Sequence, residues 1–426
     1  MTTTQRETQR AIEATFRLEQ ARLIAGLTRI VRDVGLAEEL AQDALVVALK
    51  HWPDEGVPRN PGAWLMQTAK RRAIDYFRRN KMAARKLDEL GHDLRQEEQT
   101  APDLDTPLDD DVGDDLLKLI FTACHPVISP EARVALTLRL LGGLSTDEIA
   151  RAFLVPEATV AQRIVRAKRS LAEAGLPFEV PRGPDRAARL GSVLEVLYLI
   201  FNEGYTATSG SDWLRPQLCE EAMRLGRVLA GLAPDEPEVH GLVALMEIQA
   251  SRLAARIGRD GAPVLLLDQD RSKWDQLLIR RGLAGLERAQ ALGGVAGPYV
   301  LQASIAACHA RARKAEDTDW QAIAGYYDVL ARVTPSPVVE LNRAVAHAMA
   351  FGPAHGLELL DALADAPALR NYHLLPSVRG DFLAKLGRMG EAAAEFERAA
   401  AMTHNQAERT LLLERAKSCA TGAASP

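Results

Sequence analysis

Apolar residues recur every three or four positions along most of the chain, which is the spacing of one face of an α-helix. The first stretch with this pattern covers residues 12–49 and is interrupted at Val34-Gly35. Residues 52–61 follow, with three prolines and one glycine, and the pattern resumes over residues 62–79. Because a proline inside a helix removes a hydrogen bond and clashes with the preceding turn, we predict two or three helices, a loop of fixed shape over residues 52–61, and one further helix.

The helical spacing is lost over residues 87–113, a polar and acidic segment that contains Pro102 and Pro107. Segments of this composition stay extended because their like charges repel one another. We therefore predict a linker between two folded units, residues 1–86 and residues 114–176. The spacing within the second unit predicts four helices, over residues 115–123, 130–141, 145–153 and 156–171.

Residues 185–420 form a third predicted unit, a series of Ala- and Leu-rich helical segments. We expect breaks at Pro234, Gly261, Gly293, Pro335, Gly352 and Pro376. Towards its end, small and aromatic residues have the spacing of a tetratricopeptide repeat, in which two helices pack through small side chains. These positions are Gly380, Leu383, Ala392, Phe396 and Ala399, and one period earlier Ala344, His347, Gly356, Leu360 and Leu363. The pattern predicts a tetratricopeptide-like helical array, and a generic antiparallel helical array is the alternative.

The composition favours helices throughout. Of the 426 residues, 47% are hydrophobic and 26% are charged, so we expect an all-α fold with more than one core. The four cysteines lie far apart and fit neither a disulfide framework nor a CxxC metal pattern. The polar first residues and the lack of an apolar run of about eighteen residues argue against a secretory signal and a membrane span. We expect a cytoplasmic protein without metal or cofactor.

Charge is distributed unevenly, although the formal net charge is only -5. Residues 70–86 contain eight basic residues and a single acidic one, whereas residues 103–115 are acidic without one basic residue. Trp64, Tyr76 and Phe77 lie on or beside the basic segment. Aromatic rings stack on unpaired bases while cations follow the phosphate chain, so this helix is a candidate surface for single-stranded nucleic acid. Taken alone, Trp64 and Phe77 are more often core residues.

The strongest local signal is a helix-turn-helix pattern over residues 144–163. Ser145 and Glu148 have the spacing of a capping box, and Pro156 suits the first turn of a second helix. In this geometry the second helix enters the major groove of DNA. Residues then placed to meet bases or phosphates are Glu157, Thr159, Gln162, Arg163 and Arg166, with Lys168 and Arg169 on the DNA backbone. An ordinary helical hairpin with a solvated basic face is the alternative.

These two signals, in this order and joined by an acidic linker, resemble regions two and four of extracytoplasmic-function (ECF) sigma factors, a group of the sigma-70 family. The resemblance covers residues 1–175. It is carried by the sequences AEELAQDAL at 37–45 and WLMQTAKRRAIDYFRR at 64–79, and by residues 124–169. It implies a non-catalytic sigma factor that binds the RNA polymerase core and directs promoter-specific transcription initiation.

By this resemblance, residues 37–45 correspond to the helix that grips the clamp helices of the largest polymerase subunit. Residues 64–79 correspond to the helix beside the melted −10 element, and the preceding loop to the one that captures a flipped base. Region four would contact the flap of the second-largest subunit and read the −35 element. The implied core-binding residues are Glu39, Gln42 and Asp43. The implied −10 contacts are Trp52, Asn60, Lys70, Arg71, Arg78 and Arg79. The implied −35 contacts are Thr159, Gln162, Arg163, Arg166, Lys168 and Arg169.

The rest of the chain resembles the large tetratricopeptide-like C-terminal extension of one ECF group, through residues 196–205 and 267–274. The resemblance does not imply its role. We expect a regulatory or partner-binding scaffold, with a contact to the sigma modules as one form of it. Its polar residues Asn202, Glu203, Asp268, Asp270 and Arg271 are candidates for lining a ligand groove, although caps and ion pairs explain such residues more often.

Two other classes of protein remain open from the sequence. One is a helix-turn-helix regulator that binds duplex DNA without polymerase while its repeat domain senses a peptide or small molecule. The other is an enzyme with a DNA-binding appendage. The sequence contains no P-loop, GxSxG or HExxH motif and no clustered His or Cys set, which ranks the enzyme last.

Overall fold

The computed structural model describes residues 3–90, 112–153, 155–206, 214–258, 264–363, 369–370, 372–403 and 406–420. Within these residues it contains eighteen α-helices and no β-strand, which confirms the predicted all-α fold. The chain divides into two compact units, unit 1 (Met1–Val196) and unit 2 (Leu197–Pro426).

Unit 1 begins with α1 (Thr3–Val31), α2 (Val34–Glu55) and α3 (Pro61–Leu90). Asp33 starts α2, because its carboxylate accepts a hydrogen bond of 2.7 Å from the Leu36 backbone N–H. Helix α3 extends into the predicted linker, which was expected to begin at residue 87. Residues 91–111 of that linker lie outside the described residues.

The predicted loop over residues 52–61 is shorter in the structure, because α2 continues through Pro53. Proline removes one N–H from the last turn, yet that turn still closes through a 2.9 Å hydrogen bond from the Gly56 N–H to the Trp52 carbonyl oxygen. Gly56 then leaves the helix with a φ of 83°, a conformation that favours glycine. The loop is therefore confined to residues 56–60.

The second part of unit 1 contains α4 (Val112–Ala123), α5 (Pro130–Leu140), α6 (Thr146–Phe153) and α7 (Glu157–Glu173). These helices match the four predicted ones closely. The predicted capping box is present, since the Ser145 N–H donates to Glu148 at 2.7 Å and the Glu148 N–H donates to Ser145 Oγ at 3.1 Å. Pro156 lies just before α7 instead of in its first turn.

Polar contacts join the two parts of unit 1. Arg29 on α1 pairs with Asp115 on α4 at 3.3 Å. The Gln20 side chain on α1 donates to the Arg139 carbonyl oxygen on α5 at 3.0 Å. The two units that the sequence predicts on either side of the acidic segment therefore belong to one compact unit in this structure.

The first half of α8 (Pro184–Tyr205) also belongs to unit 1. Arg133 on α5 donates to Ser192, which donates to the Cys124 carbonyl oxygen at 2.6 Å. Arg133 also pairs with Glu195 at 3.1 Å. Because Arg133 is only 7% exposed, α8 supplies the polar partners of a buried guanidinium, and the boundary between the compact units falls inside α8.

In its described segments unit 2 continues with ten α-helices: α9 (Pro216–Leu232), α10 (Pro237–Ala250), α11 (Gln276–Ala291), α12 (Pro298–Arg311), α13 (Trp320–Val333), α14 (Pro337–Phe351), α15 (Pro353–Asp361), α16 (Leu374–Lys385), α17 (Met389–Met402) and α18 (Gln406–Ala420). Most predicted breaks fall at or between helix ends, and Gly261 lies outside the described residues. The break at Pro376 was wrong, because Pro376 is the third residue of α16, where its missing N–H would have no partner within the helix.

The predicted small and aromatic positions meet in helical hairpins. A Cβ added to Gly380 on α16 would lie 3.0 Å from the Phe396 ring on α17. One period earlier, a Cβ on Gly356 of α15 would lie 3.0 Å from the Ala344 carbonyl oxygen of α14. Glycine thus permits the close approach of the two helices in each hairpin, and a helical array is confirmed.

Candidate nucleic-acid interface

Helix α7 has one buried face and one exposed face. The buried residues are Val160, Ile164, Ala167 and Leu171, at helical spacing. Gln162, Arg166 and Arg169 are exposed on the opposite face, and Thr159 and Arg163 are half-buried beside it. Five of the six predicted −35 contacts therefore share one accessible surface on the second helix of the helix-turn-helix.

Lys168, the sixth predicted −35 contact, lies on a different side of α7. Its Nζ is 2.5 Å from Oε2 of Glu38 on α2, an ion pair without hydrogen-bond geometry. The other Glu38 oxygen accepts a 2.6 Å hydrogen bond from Nε of Arg139 on α5. The Glu38 side chain is 5% exposed, and the two cations are 24% exposed. A nearly buried carboxylate thus joins α2 to the helix-turn-helix and holds Lys168.

Helix α3 carries the predicted cationic surface. Leu65, Ala69 and Ala73 bury one side of this helix. The exposed residues on its other sides include Arg71, Arg72, Arg78 and Arg79, and Lys70 is half-buried. The Arg79 Nε–H donates to the Asp75 carbonyl oxygen at 3.2 Å. Its positive charge remains available to phosphate, since a carbonyl does not neutralise it.

Two tryptophans lie next to the loop formed by residues 56–60. The rings of Trp52 and Trp64 meet edge to face, with centroids 5.2 Å apart. Trp52 is only 2% exposed, so its ring is shielded from direct contact with a nucleic acid. Asn60 is exposed and accepts a 3.0 Å hydrogen bond from the Ala63 N–H at the start of α3. Tyr76, at 37% exposure, is open to solvent further along α3.

Helix α2 presents the predicted core-binding residues on one outward face. Glu39 and Asp43 are exposed and Gln42 is half-buried. Val46, which has the same helical spacing, is 49% exposed. A face that combines two carboxylates, an amide and an exposed apolar side chain is suited to a protein partner.

Sequence reasoning missed Arg72 and Val46, which the structure adds to these surfaces, and Glu38, a buried residue that joins α2 to α5 and α7. Arg72 was visible in the basic segment, and Val46 was visible as an apolar residue in register with Glu39 and Asp43. Glu38 had a weaker signal, because it is a charged residue at a position that the helical spacing of Val34 and Ala41 assigns to the buried face.

The segment between α4 and α5 carries a cysteine and a histidine. Burial raises the pKa of the Cys124 thiol to about 11, so the thiol stays protonated near neutral pH. Burial and the nearby Arg189 lower the pKa of His125 to about 4. His125 Nδ1 accepts a 3.0 Å hydrogen bond from the Val127 N–H, which stabilises the turn between α4 and α5.

Family comparisons agree with this arrangement of helices. Residues 15–82 match the model "Sigma-70 region 2", and residues 118–171 match "Sigma-70, region 4". The ECF RNA polymerase sigma factor SigK of Mycobacterium sp. (strain KMS) is 28% identical over 162 residues, which is 36% of this chain and 77% of that protein. The chain belongs to the ECF sigma factors of the sigma-70 family. It is an RNA polymerase sigma factor that directs transcription initiation, and these families are non-catalytic initiation factors.

The second half of this sigma factor is an extension that a further relative shares. Residues 189–290 match "Family of unknown function (DUF6596)". The Uncharacterized protein R00370 of Rhizobium meliloti (strain 1021) is 44% identical over 387 residues, which is 90% of each chain. The similarity therefore continues through the C-terminal extension. No solved structure matches the chain.

The described part of the sigma factor contains neither a candidate membrane span nor a candidate metal site. None of its helices combines the length and the apolar character that a membrane span requires. Its histidine, cysteine and acidic side chains form no group of three or more that could hold a metal ion.

Proposed function

We propose that this sigma factor contacts the polymerase core through the outward face of α2, the −10 element through α3 and the loop before it, and the −35 element through the exposed face of α7. The observation that carries the assignment of α7 is the shared, solvent-accessible surface of Gln162, Arg166 and Arg169. Phosphate contacts by such cations supply affinity and position, and contacts to base edges supply specificity. The chain itself would perform no covalent chemistry and would act in the cytoplasm.

The proposed contact with polymerase is to the clamp helices of its largest subunit. We expect Asp43→Lys to weaken association with purified core about tenfold or more, because a reversed charge in a complementary interface is repelled. Fluorescence anisotropy of the labelled sigma factor titrated with core measures this. Glu397→Lys, an equal charge change at an exposed position on α17, should bind core normally, and equal binding by both variants would contradict the assignment.

We also propose that unit 2 regulates the sigma modules or docks on polymerase, because stacked helices offer a long surface for a partner. Deleting residues 197–426 should change the rate of initiation by reconstituted holoenzyme. The deletion should not begin at residue 185, since it would remove Ser192 and Glu195 and leave the buried Arg133 without these partners. Initiation at an unchanged rate under all conditions would exclude a regulatory role.

A further inference from the structure

Cationic and aromatic side chains alternate inside unit 2. The Cζ atom of Arg256 lies 3.6 Å from the centroid of the Tyr205 ring. Arg252 lies 5.8 Å from the same ring and 5.7 Å from the Trp274 ring, and Arg271 lies 4.9 Å from Trp274. We call these five residues the arginine–aromatic cluster. The cluster is well shielded, since Arg252 is 8% exposed, Arg256 6% and Trp274 3%.

Two of these charges, buried Arg252 and half-buried Arg271, have no counterion among the described residues. Arg252 donates to the side-chain oxygen of Gln249, a neutral group. Arg271 donates to the carbonyl oxygens of His309 and Ala312, each at 2.7 Å, and to Thr318 Oγ1 at 3.1 Å. Within the described part of unit 2, neither guanidinium forms an ion pair with a carboxylate, and Asp317 acts on Arg271 only at longer range. Charges shielded from water are normally paired, so Arg252 and Arg271 lack a compensating negative charge within the described residues.

Several buried N–H groups of the cluster also lack partners. Nε of Arg252, Nε of Arg271 and Nε1 of Trp274 are buried and make no hydrogen bond. Each of these atoms can only donate. Buried donors without a partner are rare in proteins and indicate an unseen acceptor. The group that would satisfy them must therefore accept hydrogen bonds, and the surrounding charge favours a negative one.

The histidine beside the cluster responds to the same positive charge. His309 is 8% exposed and packs edge to face on Trp320, with ring centroids 5.1 Å apart. Its pKa is lowered to about 3, chiefly by burial and further by Arg252 and Arg271. His309 is therefore neutral near pH 7, and the charge of the site comes from the arginines. The other titratable groups whose charges act on the arginines are Asp317 near Arg271, and Tyr205 and Cys219 near Arg256.

We propose that the arginine–aromatic cluster binds the oxyanion group of a small molecule, a carboxylate or a phosphate. Guanidinium N–H groups match both oxyanions in geometry and charge, and the flanking rings of Tyr205 and Trp274 keep the site dry enough for the charges to act strongly. All five residues of the cluster lie within the DUF6596 match. The proposal does not rest on the role of unit 2 in transcription.

The test uses the full-length chain and three probes: inorganic phosphate, succinate, and sodium chloride at matched ionic strength. A bound oxyanion at a hundred times its Kd should raise the midpoint of thermal unfolding of unit 2 by roughly 5–10 °C. Hydrogen exchange should slow in peptides that cover residues 251–258 and 269–276. This second readout separates the cluster from the cationic faces of α3 and α7, which also attract phosphate. The two oxyanions distinguish a phosphate ligand from a carboxylate ligand.

Arg252→Gln should abolish both effects, whereas Arg288→Gln, on the surface of α11 at 53% side-chain exposure, should keep them. Arg252→Lys retains the charge but not the Nε donor and should bind at least tenfold more weakly. If Arg252→Gln does not fold, the unaltered chain still tests the proposal, because its stabilisation by the two oxyanions can be compared with its stabilisation by chloride. The proposal would be overturned if chloride stabilised the chain as much as both oxyanions do. It would also be overturned if the oxyanions stabilised Arg252→Gln as much as the unaltered chain.

Discussion

Promoter-dependent transcription by reconstituted holoenzyme should fall roughly tenfold for Arg166→Ala, with a further loss expected for the double variant Arg163→Ala, Arg166→Ala. Each guanidinium lies on the accessible side of α7, and loss of one good contact to a base or phosphate costs about 1–3 kcal/mol. Run-off transcription from a promoter with intact −10 and −35 elements measures the effect. Neither side chain is buried, so the variants should unfold at the same temperature as the unaltered chain.

The matched control is Arg398→Ala, which removes an exposed arginine from α17 and should transcribe normally. Core binding by the double variant should also be normal, because the proposed core-binding face is on α2. A salt titration adds a sharper readout, since each lost phosphate contact reduces the slope of log K against log salt by about one. If the double variant initiated at the normal rate, α7 would not be the helix that reads the −35 element.

The free energy of unfolding of unit 1 should fall by roughly 1–3 kcal/mol when Glu38 is replaced by glutamine. Glu38 is nearly buried and joins Arg139 and Lys168, and breaking a buried pair leaves charges without a partner. The two cations are partly exposed, so solvent recovers part of the loss, and the value lies below that of a fully buried pair. Urea denaturation measured at low salt and at high salt tests it, because the difference between variants should shrink as salt screens the pair.

The same change also affects contact with DNA. In the structure Glu38 holds Lys168, so Lys168 reaches a phosphate only after this pair separates. For Glu38→Gln we expect the salt slope of duplex binding by the isolated sigma factor to steepen by about one phosphate contact. Glu39→Gln is the matched control, because it removes the same charge from the adjacent, exposed position of α2. If the two variants had the same stability and the same salt slope, the ion pairs of Glu38 would affect neither the folding of unit 1 nor its contact with DNA.

The residues assigned to DNA contact differ in their exposure to solvent. Arg71, Arg78 and Arg166 are exposed, as a DNA contact requires. Trp52 is buried, so the variant Trp52→Ala would report on the support of the loop and on the stability of unit 1 together. A change at Arg78 is therefore the cleaner probe of the −10 surface.

The sequence by itself determined the helices and much of the chemistry of their faces. The spacing of apolar residues gave the bounds of α4 to α7 to within a few positions, and the Ser145–Glu148 capping box was readable because its signal is local. Gly380 and Phe396 were paired correctly for the same reason, since a helical hairpin brings together residues at a fixed separation in the chain. Pro376 misled the prediction of a helix end because an N–H in the first turn has no partner within the helix. Pro53 misled it because the loss of one hydrogen bond near the end of α2 did not stop the helix.

Only the tertiary structure decided which charged residues meet across the chain. Glu38 and Lys168 are separated by most of unit 1 in sequence, and Arg252 and Arg271 meet at Trp274 through two irregular segments. No periodicity encodes such contacts, because they depend on how whole helices and turns pack. Burial then sets the energetic cost of each charge. A lysine or arginine side chain is solvated on the exposed side of a helix, whereas on the buried side it loses its hydration and needs a polar or charged partner.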